Sequence, residues 1–200
     1  MTAKMREAQR TDWARKEEQR RQRIILIWVA IALAFVGFLV YLVYEQAKPV
    51  PHPGEDVAIQ GHDHISPGVP HDPYNSDPPT SGPHYAQPAE AGFYDDAPAD
   101  EYLIHSMEHG YVIIWYNCDK LTTGTCDQLK ADIRDLMSHA GVSAITSTLK
   151  LIAVPRPSMP QVIALTAWGR IDKIATFDRT EIMDFIRAFR DTRAREPGVG

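Results

Sequence analysis

From Ile24 to Tyr44 the chain reads IILIWVAIALAFVGFLVYLVY, with neither a charge nor a proline. A helix needs about 20 such residues to cross the ~30 Å hydrocarbon core of a bilayer. A secretory leader has a shorter apolar part, about 7–15 residues, followed by a small-residue cleavage site. Glu45-Gln46-Ala47-Lys48-Pro49 offers only a poor version of that site. A buried core helix would show some polar face. The run therefore reads as a single membrane-spanning helix over 24–44. Trp28, Tyr41 and Tyr44 lie near its ends, where amphipathic rings favour the headgroup layer.

Charge sets the expected orientation. Residues 1–23 carry eight Lys/Arg against four acids, whereas residues 45–200 carry thirteen against twenty-two. The positive-inside rule keeps the basic tail 1–23 in the cytoplasm and places the remainder outside, at the cell membrane. A basic tail also suits an anionic inner leaflet, so the membrane is the expected partner. An acidic ectodomain argues against nucleic acid as a ligand. A further protein of the envelope stays open as a partner.

Beyond the anchor, residues 45–56 (EQAKPVPHPGED) form a Pro-rich linker. Residues 57–193 are long enough for one extracytoplasmic domain, and 194–200 make a C-terminal tail. No sustained period is visible over 57–98, where turn formers dominate, as in Asn75-Ser76-Asp77-Pro78-Pro79 and Ser81-Gly82-Pro83. The second half is regular. Tyr111–Tyr116 is β-branched and aromatic, a buried strand. Leu129, Ile133, Leu136 and Met137 recur at helical spacing over 127–140. Strands follow at Leu149–Val154, Gln161–Trp168 and Ile171–Phe177. A last helix runs from Thr180 to Arg193, with Asp178 or Thr180 placed to cap it. The expected class is α+β: a single transmembrane helix, then a long Pro/His-rich loop wrapped on a small mixed sheet with two helices. The order β-α-β-β-β-α is similar to the thioredoxin-like core, including Pro160 before the third strand.

Cys118 and Cys126 fall on the oxidising side of the membrane and can bridge across Gly124. Their spacing is far wider than the C-x-x-C of redox pairs, which favours a loop staple.

Seven of the eight histidines lie between His52 and His109, and eleven of the fifteen prolines between Pro49 and Pro98. Imidazole is the commonest metal ligand, and proline can hold side chains in place without a helix or strand beneath them. In His62-Asp63-His64, an extended chain would point both rings to one side. His105-Ser106-Met107-Glu108-His109 matches H-x-x-E-H, in which a helix presents two histidines to zinc while the glutamate serves as base. The run into a strand shortly afterwards restricts that helix to the residues before His105. The candidate metal ligands are His62, His64, His84, His105 and His109, for copper or zinc. Glu108 would orient an imidazole and Met107 would add a soft thioether. His139 answers the end of the first soluble helix, and His52 is read as solvated. Two other functions stay open. One is a metal-dependent hydrolase with Glu108 as general base and Glu181 as a third ligand. The other is a metal-free interaction module of an envelope complex.

Four segments, Tyr74-Asn75-Ser76-Asp77-Pro78-Pro79-Thr80-Ser81-Gly82-Pro83-His84, Gly92-Phe93-Tyr94, His105-Ser106-Met107-Glu108-His109-Gly110-Tyr111-Val112 and Thr166-Ala167-Trp168-Gly169-Arg170, together resemble the DUF3105 family over about residues 55–190. The resemblance implies a membrane-anchored bacterial protein and brings no reaction with it, so no catalytic residue is carried over.

Overall fold

A computed structural model describes residues 3–47 and 52–196. Positions 48–51 of the expected linker and 197–200 of the expected tail lie outside the described residues. The chain divides into two compact units, one through Pro51 and one from His52 onward.

The first unit is one unbroken helix, α1 (Ala3–Ala47). It is long and apolar enough to cross a membrane, with a mean hydropathy of 2.8 in its apolar span. The apolar side chains of that span are exposed along its length. The polar stretch before Ile24 continues the same helix.

The second unit is α+β. In chain order its elements are β1 (Glu55–Asp56), β2 (His64–Ile65), β3 (His84–Tyr85), β4 (Gly92–Phe93), α2 (Asp100–Glu108), β5 (Val112–Tyr116), α3 (Cys126–His139), β6 (Leu151–Pro155), β7 (Ile163–Ala167), β8 (Arg170–Ile174) and α4 (Arg179–Phe189). Six strands form a mixed sheet in the order β1-β8-β7-β5-β6-β4, and β2 and β3 pair separately. From β5 onward the order β-α-β-β-β-α is the expected one. Three differences stand out. The expected two helices are joined by a third, α2. The last helix ends at Phe189, short of Arg193. The stretch 57–98, read as without a sustained period, carries three strands of two residues each, and a fourth, β1, falls in the expected linker.

Alternation along β5 builds the layers. Val112, Ile114 and Tyr116 face a core made with Leu129, Ile133 and Leu136 of α3 and Ile182, Phe185, Ile186 and Phe189 of α4. Ile113 and Trp115 face the other way, against Leu103, Ile104 and Met107 of α2. Both faces of the sheet are therefore covered, which explains why β5 reads as continuously apolar. Thr125 caps α3 by accepting from Gln128 N–H at 3.2 Å, and Asp178 caps α4 by accepting from Thr180 N–H at 2.8 Å.

Beyond its two-residue pairings, the Pro-rich stretch is tied down by side chains. Tyr74 donates its hydroxyl to Pro83 O at 2.8 Å, and burial pushes its phenol well above the ordinary value, so it stays a donor. Arg156 reaches Asp77 at 2.8 Å and Asp100 at 2.6 Å, joining the loop to the first turn of α2. A Cβ on Gly82, whose φ is +129°, would lie 2.8 Å from the Tyr74 ring. Only glycine fits there at no steric cost.

Burying a phenyl ring such as Phe185, which has no exposed surface, makes a cavity when it is removed. Phe185→Ala is expected to cost about 3–5 kcal/mol in urea unfolding of the full-length protein in detergent. A loss below about 1 kcal/mol would show that α4 does not complete this core.

Candidate metal centre

His105, Glu108 and His109 share a face because α2 advances about 100° per residue, so positions i, i+3 and i+4 stack. The helix carries the motif itself rather than stopping before His105, as the sequence had suggested, and His109 is its C-cap. Gly110, at φ +88°, then turns the chain into β5, and a Cβ there would lie 2.9 Å from the Asp191 backbone. Across from this face lies the β2–β3 pair, whose parallel register sets His64 opposite His84. His84 N–H donates to Asp63 O at 3.0 Å, which holds that register.

Four donor groups, from His64, His84, His105 and Glu108, lie within 4.8 Å of one another. The His84 ring is fully buried and Glu108 is 2% exposed, whereas His64 is 48% exposed on its side chain and opens the cluster to solvent. His84 Nε2 lies 3.0 Å from Glu108 Oε2, and His64 Nε2 lies 3.8 Å from the same oxygen. His105 stacks on His64 with an interplanar angle of 7°. His109 Nε2 adjoins the group, 3.1 Å from His105 Nε2.

Tautomers follow from what each ring faces. A carbonyl oxygen only accepts, so the ring nitrogen opposite it carries the hydrogen. His84 Nδ1 donates to Gly82 O at 2.9 Å and His105 Nδ1 donates to Tyr85 O at 2.6 Å. In a neutral ring this leaves Nε2 as a lone pair aimed into the cluster, the arrangement that supports metal-ligating histidines. Burial pushes the His105 imidazole below its ordinary value, and the neighbouring His109, His84 and His64 add to the effect against the Tyr85 carbonyl. Burial also lowers His109, opposed by Glu196 and Glu108. Both rings are therefore neutral at neutral pH, and with His105 Nε2 a lone pair the His109 Nε2–H donates to it at 3.1 Å.

The proton count at His84 is the most constraining. With Nδ1–H given to Gly82 O, a neutral ring turns a lone pair toward the Glu108 carboxylate at 3.0 Å. Two acceptors hold that distance in a buried site only with a cation between them, either a proton or a metal ion.

The structure distributes the other candidates differently. His62 is exposed and outside the four-donor group. Met107 has no exposed surface and packs into the apolar core of α2 with Trp115, so its thioether does not join the imidazoles. Glu108 stands among the donors rather than behind them. Burial, with Asp172 and Asp178 nearby, raises the Glu181 carboxyl above the usual range, and Glu181 is not in the group. His71 pairs with Glu101 at 3.3 Å, and the His139 ring faces Asp135 O at 2.8 Å at the end of α3. His52 lies edge-on to Phe189, with ring centroids 5.6 Å apart. The sequence reading missed Arg195 and Glu196. Their backbone N–H groups donate to Glu108 O at 2.9 and 3.1 Å, while their side chains reach Glu108 and His109 at 3.5 Å.

The Cys118–Cys126 disulfide is formed.

A family model described as a protein of unknown function, DUF3105, matches residues 71–200. No curated protein and no solved structure matches the chain. The matched span holds His84, His105 and Glu108 and begins after His64.

Gly82→Ala should push the Tyr74 ring or shift the Gly82 carbonyl that orients His84. The expected cost is about 1–3 kcal/mol, read as a lower unfolding midpoint of the metal-free full-length protein. An unchanged midpoint would show that this turn does not hold the ring.

Proposed function

The chain belongs to the DUF3105 family, and on the chemistry of its own residues we propose that it is a membrane-anchored, extracytoplasmic metal-binding protein. The ion is held by the imidazoles of His64, His84 and His105 and the carboxylate of Glu108, with His109 beside them. One observation carries the reading: four nitrogen and oxygen donors converge within 4.8 Å, and two of the rings are turned by carbonyl acceptors so that Nε2 points inward. Imidazole with carboxylate suits zinc and divalent copper. Without Met107 the set lacks the soft ligand that monovalent copper prefers. The exposed apolar helix supports anchoring, and the excess of bases in 1–23 supports a cytoplasmic N-terminus.

Arg195 favours a second reading. Its guanidinium lies 3.5 Å from Glu108 Oε1, as in a metal-free cluster where a proton on His84 and this arginine balance the carboxylate.

Metal analysis separates the two. Full-length protein purified in detergent without affinity metal is expected to hold about one zinc or copper ion per chain. His105→Ala and His64→Ala should each weaken retention by more than the roughly 10–100-fold typical of losing only a supporting hydrogen bond. His64 is the decisive variant, because its exposed ring can be removed without opening the core. His62→Ala should retain the ion. Protein that is metal-free as isolated, and that takes up neither ion at micromolar concentration, would establish the second reading.

A further inference from the structure

A second chemically competent group stands at the carboxyl end of β5, in a place the metal reading does not use. The chain leaves β5 through α3 to the parallel neighbour β6, while β7 pairs on the opposite side. Asn117 follows the strand, then Cys118, and Cys126 is the first residue of α3. Both cysteines are half-buried. Beside their bond runs a groove of about 130 Å³, walled by Tyr116, Pro155 and Pro157 and edged by Lys130. Its far wall is fixed, because Asn117 Nδ2 donates to Pro157 O at 3.1 Å and to Met159 O at 2.7 Å.

A staple is needed where nothing else holds a loop, and this loop is already held. Asn117 Oδ1 accepts from Asp119 N–H at 2.9 Å, Leu121 N–H donates to Cys118 O at 3.3 Å, and Leu121 packs against the core. Thr125 caps the helix that carries Cys126. Opening the sulfur–sulfur bond therefore leaves both sulfurs close to where they are.

We propose that Cys118–Cys126 is a thiol–disulfide exchange site that oxidises a cysteine pair on a second protein or peptide. A thiolate of that pair attacks Cys118 Sγ and forms a mixed disulfide, while the Cys118–Cys126 bond breaks with its electron pair on Cys126 Sγ. The positive end of α3 and the Lys130 ammonium, one turn along and held at 2.8 Å by Asp95, favour charge on that sulfur. Asp119 and Asp127 oppose it. The second thiolate of the pair then attacks its own mixed-disulfide sulfur and releases Cys118 as a thiolate. One dithiol has become a disulfide and two electrons have passed to this chain, the protons leaving the attacking thiols and reaching Cys118 and Cys126 by way of solvent. The groove lies where a segment flanking the attacking cysteine would rest.

This inference is independent of the metal centre, and it is tested on metal-free full-length protein in detergent. Dithiothreitol is the probe, with acid quenching, alkylation and mass measurement. Reduction is expected to be first order in dithiothreitol, to show no acceleration by urea below the unfolding transition, and to leave the near-ultraviolet circular dichroism intact. With oxidised glutathione, Cys126→Ser should accumulate a mixed disulfide at Cys118. Reduction at a rate set by unfolding and independent of dithiothreitol would overturn the proposal. So would loss of the near-ultraviolet signal as the bond opens, which identifies a staple.

Discussion

A carboxylate oxygen and an imidazole nitrogen are held 3.0 Å apart at Glu108 and His84, both away from water. Nearly everything around them acts to keep that contact in place. Gly82 O takes the opposite nitrogen of the ring, Tyr74 and Pro83 brace the turn, and the β2–β3 register brings His64 to the same oxygen. Burying these groups without a compensating positive charge would be costly, so a cation belongs at their meeting point. The ring orientations supply lone pairs there, and Arg195 supplies the competing charge.

The sheet is what makes so irregular a loop precise. Both faces of β5 are buried, so α2 is pressed onto one face and α3 with α4 onto the other. α2 is then a rigid platform that presents His105, Glu108 and His109 on its outer side while Met107 anchors its inner side. The proline-rich stretch is cross-braced by its own side chains, as where Asn75 Nδ2 donates to Ala58 O and Gln60 Nε2 to Pro73 O, both at 2.7 Å, and Arg156 joins it to this platform through Asp77 and Asp100. The two chemical sites lie at different ends of the construction. The imidazoles sit on α2 and its loop, whereas the cysteines sit where β5 passes into α3.

The sequence was readable wherever a period ran long enough to register. β5, α3, β7, β8 and the start of α4 fall within a few residues of their expected bounds, and the apolar run of α1 was plain. The four two-residue strands were not legible, since a pair of residues carries no alternation. α2 was hidden for a related reason: its motif runs almost directly into a strand, and the turn at Gly110 that allows this is not a periodic signal. Helix geometry alone would have corrected the reading of Met107. At i+2 it lies about 200° from His105, so it belongs to the core if the histidine faces outward. The same wheel sets Glu108 beside His105 as a donor. His64 and His84 could not be paired from spacing, because their meeting depends on a register between two-residue strands. Arg195 and Glu196 gave no signal in a segment taken for a tail.

The central claim, that these imidazoles and Glu108 share one metal ion, is tested most directly by X-ray absorption at the zinc edge of zinc-loaded full-length protein. The account predicts a first shell of nitrogen and oxygen at about 2.0–2.1 Å, with outer-shell scattering from at least two imidazoles that falls in His64→Ala. An all-oxygen shell without imidazole scattering, or a spectrum unchanged in that variant, would contradict it.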